Sequence, residues 1–581
     1  MRDGINQELA KIFLEMAEFL AMRETAFKPR AYEKAAQAIE ELKEDAAEIY
    51  QKEGLKGLEK ISGVGKGIAE RIEEFIKTGR VKDYERLKKE MPVDVSGLTA
   101  VEGVGPKIIK ALYQKLKIKN IRDLEKAARA GRLRKLPRFG EKLEQKIIKS
   151  IEFHKKSKGR FLIGEILPLA NEIKARLLKI KGVSQVEFAG SLRRRKETIG
   201  DLDILAISKE PAKVMDYFTK MPEVAHIYAK GLTKSMVRFD FGIDADLRVI
   251  APESFGAALQ YFTGSKDHNV VLRKIAVKKR YKLNEYGLWR GKKRIAGKNE
   301  EEIYEKLGRQ LMPSEIRENT GEIEAAQIRQ LPRLIDINDI KGDLHCHSHW
   351  GMDKKLINEM IEAAIKTGYE YIGISDHTKF LHIEHGLDEK QLIRQRKEID
   401  KLNSKFQILN KKFRILHGCE ANIMADGSID ISDEALAKLD YVIAGVHSQM
   451  KMPKEKMTER IIRAMRNPNV DIISHPTGRI LKQRDEYKID FDKILKIAKE
   501  TGTILEINAN PYRLDLNDQN IRQAKKIGVK MIINSDAHRK EQLNFMEYGV
   551  AQARRGWAEK EDIINCWPVE KLLKFCFTKL F

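Results

Sequence analysis

Hydrophobic and polar positions alternate in three different rhythms along the chain. Up to about residue 150, apolar residues recur at i, i+3/i+4 and i+7, the helical period. LEKISGVGKGIAERIEEFI (58–76) and LTAVEGVGPKIIKALYQKL (98–116) repeat one arrangement: an apolar helix end, Gly-Val-Gly, then an amphipathic helix. LRKLPRFGEKLEQKIIKSI (133–151) is a weaker third copy, with Arg138 in place of the first glycine. A further helical pattern (161–179) leads into KGVSQVEFAG, read as a strand. DLDILAIS (201–208) and MVRFDFGIDADLRVIA (236–251) then alternate with period two, as strands do. After residue 340, short apolar runs end in polar, ligand-type residues: DLHCHS, YIGISDHT, FRILHGCEANI, YVIAGVHS, DIISHPTGR, TILEINANP and MIINSDAHR. Helical patterns separate most of them. Strand–helix alternation with chemistry at the strand ends predicts a parallel β/α barrel, and seven signals favour a distorted seven-stranded one.

Composition sharpens these divisions. At 581 residues the chain predicts several domains. No apolar run approaches the ~20 residues of a membrane span. The N-terminal MRDGINQELAKIFLEMAEFL is amphipathic and has no signal-peptide core. Cys346, Cys419, Cys566 and Cys576 are scattered and form no CxxC pair. The expectation is a cytoplasmic, nucleoid-associated protein with no membrane partner, monomeric by default. Charge is uneven. Residues 91–300 hold 46 Lys and Arg against 23 Asp and Glu, whereas residues 1–90 hold 18 against 19 and residues 301–581 hold 46 against 44. A single-signed block of that size favours a polyanion, nucleic acid first. Ten of the thirteen histidines follow residue 340, so a boundary is expected near 320–340, at PRLIDINDIKGD.

Glycine turns at a helix start leave backbone N–H groups free to hold a phosphate oxygen without reading a base. That is the expectation for Gly63, Gly65, Gly103 and Gly105, whose repeats resemble helix-hairpin-helix motifs. In DLDILAIS, Asp201 and Asp203 point to one face. Asp244 and Asp246 lie on the next alternating strand, and oxygen-only ligands of this kind select Mg²⁺ or Mn²⁺, with room for two ions. Downstream, His345-x-His347 on one strand face is a metal-ligand arrangement.

Gly190-Ser191, an arginine soon after, and Gly-Asp-x-Asp together resemble the nucleotidyltransferase signature. YFTGSKDHNVVLR (261–273) narrows this: it resembles the nucleotide-binding segment of family X DNA polymerases, and KLNEYGLWR (282–290) continues the likeness. The resemblance implies that Asp201, Asp203 and Asp246 hold catalytic metals, and leaves out Asp244. It implies that Gly190, Ser191, Arg194 and Gly200 meet an incoming dNTP, and that Tyr261, Phe262 and Gly264 pack under its sugar. Asn269 and Arg273 would contact the nascent base pair. Arg193, Arg195 and Lys196 are read as ordinary members of the basic block. The histidine-rich part resembles the polymerase and histidinol phosphatase (PHP) family. That likeness implies a centre of two or three Mn²⁺, Zn²⁺ or Fe²⁺ ions on His345, His347, His377, Glu420, His447, His475, Asp536 and His538. Met352 stands where that family has a further Asp, with Asp353 and His349 as substitutes. His382, His385 and His417 are read as structural. Arg71 occupies the position of the lyase lysine of the polymerase family, and a guanidinium cannot serve as that nucleophile.

The expected chain is multidomain α+β and α/β. It has a lyase-like but lyase-inactive helical domain (1–90), a helix-hairpin-helix subdomain (91–150) and a palm with a mixed sheet (151–255). A nucleotide-binding subdomain (256–320), a linker (321–339) and a distorted (β/α)7 PHP barrel (340–581) follow. It would fill short gaps on gapped or primer–template DNA and trim 3′-ends. A barrel acting as a small-molecule phosphatase, or as a non-catalytic brace, stays open at this point.

Overall fold

The computed structural model describes residues 5–577 except 24, 26–27, 41, 43–44, 62, 100, 102–103, 137–138, 142, 146, 149–150, 152–158, 351–353, 382–383 and 410–412. Among the described residues no helix is long and apolar enough to cross a membrane. The N-terminal helices, from Ile5–Met22 to Ile121–Arg129, share one apolar cluster that runs from Leu9 to Ile151. Lys66–Thr78 shows why these segments are helical. Ile68, Ala69, Ile72 and Phe75 form its buried stripe, and Gly79 ends it at φ 70°, in the left-handed conformation.

The central sheet has five strands in the order Val183–Phe188, Asp201–Ser208, Asp244–Val249, Lys234–Phe239 and Val224–Lys230. Only Asp201–Ser208 and Asp244–Val249 run parallel, in a register that sets Asp201 opposite Asp244 and Asp203 opposite Asp246. Leu202, Ile204 and Ala206 turn into a core with Phe218, Phe239 and Leu247, which leaves Asp201 and Asp203 on the other face. Helices Phe255–Thr263 and Lys266–Lys278, three short antiparallel strands (282–296) and Glu300–Lys306 close over a separate core.

Six of the seven strand signals after residue 340 become one parallel strand each and the seventh becomes two, giving eight strands where seven were expected. Gly342–Cys346, Tyr371–Ile374 and Arg414–His417 form one arc; Glu420–Asn422, Ile443–Gly445, Ile472–Ile473, Ile504–Asn508 and Met531–Asn534 form a second. Single parallel bridges, His377 to Glu420 and Cys346 to Ala537, join the arcs at both ends. Leu344, Tyr371, Leu416, Ile443, Ile472, Ile504 and Ile532 fill the interior, under Ile564, Val569 and Leu572. FRILHGCEANI, expected as one strand, is split at Gly418 and Cys419. A Cβ on Gly418 would stand 2.4 Å from the ring of Tyr441, so only glycine fits at this break, and Glu420 begins the second arc. The barrel module packs against the palm: Leu514 and Tyr548 are part of the palm's buried cluster.

Candidate active sites

Strand alternation and the parallel register together assemble the palm carboxylates. Asp201 and Asp203 come from one strand, and Asp246 sits beside Asp203 on its neighbour. Gly190 (φ 56°) lies directly under them: a Cβ there would stand 2.1 Å from Oδ2 of Asp203. Burial, with Asp201 and Asp246 beside it, pushes the Asp203 carboxyl up to about 8. Burial and Asp244 raise Asp201 as well. Asp246 Oδ2 receives Arg248 at 3.0 Å, while its Oδ1 and the Ser191 hydroxyl are buried without a hydrogen-bond partner. Crowded carboxylates that resist ionisation, with an orphaned oxygen among them, fit a bound divalent cation. Asp244 is different. Arg238 takes both of its oxygens, at 2.7 and 2.8 Å.

The Tyr261–Phe262 rings pack edge-on at 5.1 Å beside Gly264 (φ 66°), and Arg248 covers Phe262 at 4.5 Å. Arg194 donates to the Thr263 carbonyl and, at 3.1 Å, to Glu318. Asn269 donates to the Tyr261 carbonyl at 2.7 Å and accepts from Gln260 at 2.7 Å, so it braces this turn from behind. Arg273 faces Tyr261, whose phenol burial and Glu285 hold above its usual range. Gly200 lies beside Arg160: a Cβ would stand 3.2 Å from its Nη1. The cations after Ser191 are not loose surface charges. Arg193 clasps Glu300 at 2.9 and 2.6 Å, and Lys196 stands 3.3 Å from Glu318. Despite its burial, Arg317 and Arg193 hold the Glu300 carboxyl down at about 2.

Among the described residues the barrel brings all eight expected PHP residues to one centre, with Glu420 as its hub. Glu420 Oε2 lies 3.2 Å from His345 Nε2, 3.8 Å from His347 Nε2 and 2.9 Å from His377 Nδ1. Its Oε1 lies 3.2 Å from His447 Nε2 and 3.0 Å from His475 Nε2. Asp536 Oδ1 faces His347 at 3.3 Å, and the His538 ring stacks on His347 at 4.1 Å. Three overlapping triads could each hold an ion: His347, His377 and His538; His345, His347 and Asp536; His377, Glu420 and His447. Despite its burial, His345, His447 and His377 keep Glu420 well below the usual carboxyl range. Burial opposes a charge on His345, yet Glu420, Glu506 and Asp536 push its imidazole well above its usual range. Burial, His538 and His377 force His347 the other way. Both ring nitrogens of His347, Nε2 of His345 and Nδ1 of His377 are buried without a hydrogen bond. Buried imidazole nitrogens that close on shared carboxylates without forming hydrogen bonds match the donor set of Mn²⁺, Zn²⁺ or Fe²⁺. His475 (φ 30°) and Asp536 (φ 54°) hold left-handed backbone, a strain that collects at such sites.

Several functional neighbours escape sequence reasoning. Glu506 receives Nδ1 of His345 at 2.7 Å, the His475 backbone N–H at 2.8 Å and Asn534 at 3.0 Å, which fixes the tautomer and aim of His345. Asn422 lies 3.2 Å from His447 Nδ1. Asp376 accepts the Ser348 hydroxyl at 2.5 Å and Gln395 at 2.6 Å. The available signal was Glu506 and Asn508, two polar residues at alternate positions of a strand buried throughout. His417 is bonded to Gln395 at 3.0 Å, a structural role. The His349 ring stands 5.6 Å from His538, at the rim of the centre. Met352, Asp353 and His382 lie outside the described residues.

In the helical region Gly65 and Gly105 precede helices Lys66–Thr78 and Pro106–Leu116, with open space where a Cβ would be. Gly63 needs its freedom: φ is 82° there. Gly103 lies outside the described residues. Arg71 is paired with Asp83 and donates to the Gly67 carbonyl.

The helix-hairpin-helix domain family model matches residues 5–81, and a SAM-like helix-hairpin-helix tandem model matches residues 95–152. The DNA polymerase beta thumb model matches residues 258–318, and the PHP domain model residues 343–510. A Bacillus subtilis (strain 168) protein named DNA polymerase/3′-5′ exonuclease PolX is 37% identical over 575 residues, 98% of this chain and 99% of that one. A Thermoanaerobacter sp. (strain X514) protein named "Probable phosphatase" is 40% identical over 134 residues, 21% of this chain and 52% of its own. A Caldicellulosiruptor saccharolyticus protein of the same name is 31% identical over 214 residues, 35% of this chain and 82% of its own. A likeness that runs the full length, with these domains in this order, shows that the chain belongs to the family X DNA polymerases that carry a PHP domain.

Proposed function

We propose that this enzyme fills short gaps in DNA by adding dNTPs to a primer 3′-end in the palm, and removes 3′-terminal nucleotides at the PHP centre. It is a DNA polymerase with a 3′-5′ exonuclease module, the pair of activities named for the Bacillus relative. Gap filling as the task, dNTPs as substrate, a monomeric state and a cytoplasmic, nucleoid-associated location belong to the same proposal. The observation that carries it is the convergence, in one chain, of two separate donor clusters: the Asp trio of the palm and the Glu420-centred histidines.

In the palm, Asp201, Asp203 and Asp246 would hold Mg²⁺ or Mn²⁺. Ser191 and Arg194 would meet the triphosphate, with Gly190 and Gly200 allowing close approach. Tyr261, Phe262 and Gly264 would seat the sugar, and Asn269 and Arg273 the nascent base pair. In the barrel, His345, His347, His377, Glu420, His447, His475, Asp536 and His538 would hold two or three ions. When bound, the metals supply charge neutralisation at phosphate and a nucleophile at neutral pH. Glu506 orients His345, and Asn422 orients His447. Gly65 and Gly105, with their open N–H faces, would hold the DNA backbone without reading sequence.

The test uses gapped DNA with and without dNTPs, beside a phosphomonoester. Asp201→Ala with Asp203→Ala is expected to abolish extension and spare 3′-trimming; His345→Ala is expected to do the reverse. Extension that survives the double aspartate change would refute the palm assignment. Phosphomonoester release without 3′-trimming would make the barrel a phosphatase.

A further inference from the structure

Arg555 ends helix Met546–Arg555 of the barrel module, and its side chain is 2% exposed. Among the described residues, none of its hydrogen bonds goes to the PHP centre. Its Nη1 donates instead to the carbonyl of Arg194 at 2.8 Å, to the carbonyl of Glu315 at 3.2 Å and to Oε1 of Glu318 at 3.2 Å. Its Nη2 donates to Asp518 at 2.5 Å. Glu318 in turn accepts Nε of Arg194 at 3.1 Å. The main chain and the side chain of Arg194 are therefore both tied to one buried guanidinium from the other module. Three residues on, Glu197 is held the same way, by Arg479 at 2.5 Å and Gln552 at 2.9 Å. A planar fork of donors, charge-assisted and buried, fixes its acceptors far better than a solvated pair would.

We propose that Arg555 is a positioning residue of the polymerase: through it, the barrel module sets the conformation in which Arg194 meets the triphosphate. The inference rests on reading Arg194 as a triphosphate contact. A polymerase core cut free of the barrel would then bind dNTP poorly even with every palm residue intact.

The test is steady-state single-nucleotide gap filling by the full chain, comparing Arg555→Gln, Arg555→Lys, Arg194→Gln and the double Gln variant. Arg555→Gln is expected to raise KM for dNTP about tenfold, the worth of one charge-assisted hydrogen bond, with kcat nearly unchanged. Exonuclease of the same preparation should hold, Arg555→Lys should recover part of the loss, and the double variant should match Arg194→Gln alone. If Arg194→Gln raises KM and Arg555→Gln does not, the inference falls and the reading of Arg194 stands. If neither variant moves KM, both fall. Parallel loss of extension and exonuclease would mark a merely structural arginine and overturn the proposal. Should Arg555→Gln prove insoluble, Asp518→Asn, which loosens the far side of the same guanidinium, must show the KM rise.

Discussion

Replacing Gly190 by alanine probes how the palm holds its carboxylates. Two costs can be worked from the structure. The residue has φ 56°, and a Cβ in the left-handed region costs about 1–2 kcal/mol. The same Cβ would stand 2.1 Å from Oδ2 and 3.2 Å from Cγ of Asp203. A relaxed contact needs about 3.5 Å, so the carboxylate must retreat by roughly 1 Å or more. Backbone strain alone lowers stability and leaves turnover of the folded enzyme untouched. A carboxylate displaced by about 1 Å in a reacting site costs on the order of 10²-fold in rate. The expected result is therefore a kcat for single-nucleotide gap filling reduced on the order of 10²-fold. The assay is primer extension under saturating dNTP, with 3′-trimming of the same preparation as the control for folding. Trimming should stay within about twofold, because the PHP centre is a separate site. Extension close to the parent rate in soluble Gly190→Ala would refute the role of Asp203, or its contact with this glycine.

Three further outcomes follow from the geometry. Glu506→Gln should lower metal affinity at the PHP centre by about 10–100-fold, since it removes the partner that orients His345, and titration of Mn²⁺ into the metal-free chain reads this directly; unchanged affinity would show that the contact is idle. In the metal-free palm, burial and the neighbouring carboxylates push the Asp203 carboxyl up to about 8, well above the usual carboxylate range. The native state there keeps a proton that the unfolded chain has already lost, so this group lowers stability progressively as pH rises through that window. Mg²⁺ must displace that proton. Its affinity should therefore climb with pH and level off above about 8, with proton release visible by calorimetry in two buffers and absent in Asp203→Asn. Finally, Gly105→Ala meets open space and normal φ, so the fold should be unaffected. A methyl group over the helix N-terminus should nonetheless weaken gapped-DNA binding, measured by anisotropy at fixed salt; wild-type affinity would remove this turn from the DNA contact.

The joining of two activities in one chain also has a physical expression. The segment after strand Ile504–Asn508 serves both sides: Leu514 packs in the palm core, while Nε of Arg513 stands 3.7 Å from Asp536 of the PHP centre. Arg479, Gln552 and Arg555 hold the loop that carries Arg194 and Glu197. The barrel is thus part of the frame on which the palm loop is built, whatever else it catalyses.

Much of this molecule was legible along the chain because it depends on neighbours a few residues apart. Period-two alternation alone sets Asp201 and Asp203 on one face, and His345 and His347 on another. Repeated Gly-Val-Gly turns before amphipathic stripes mark the hairpins, and the shift from basic to histidine-rich composition is what suggests a boundary between modules near 320–340. What lay beyond reach depends on pairing between distant strands. Alternation does not separate Asp244 from Asp246, and only the family resemblance singled out Asp246; the parallel register then puts Asp246 opposite Asp203, while Arg238 takes Asp244 from across the sheet. Glu420 becomes the hub because its strand starts anew after Gly418 and Cys419, and the ring of Tyr441, more than twenty residues away, leaves room only for glycine at 418. Arg193 and Lys196 looked like spare cations, since their acceptors Glu300 and Glu318 lie over a hundred residues away. Local periodicity decides which face a side chain takes; only tertiary packing decides what stands across from it.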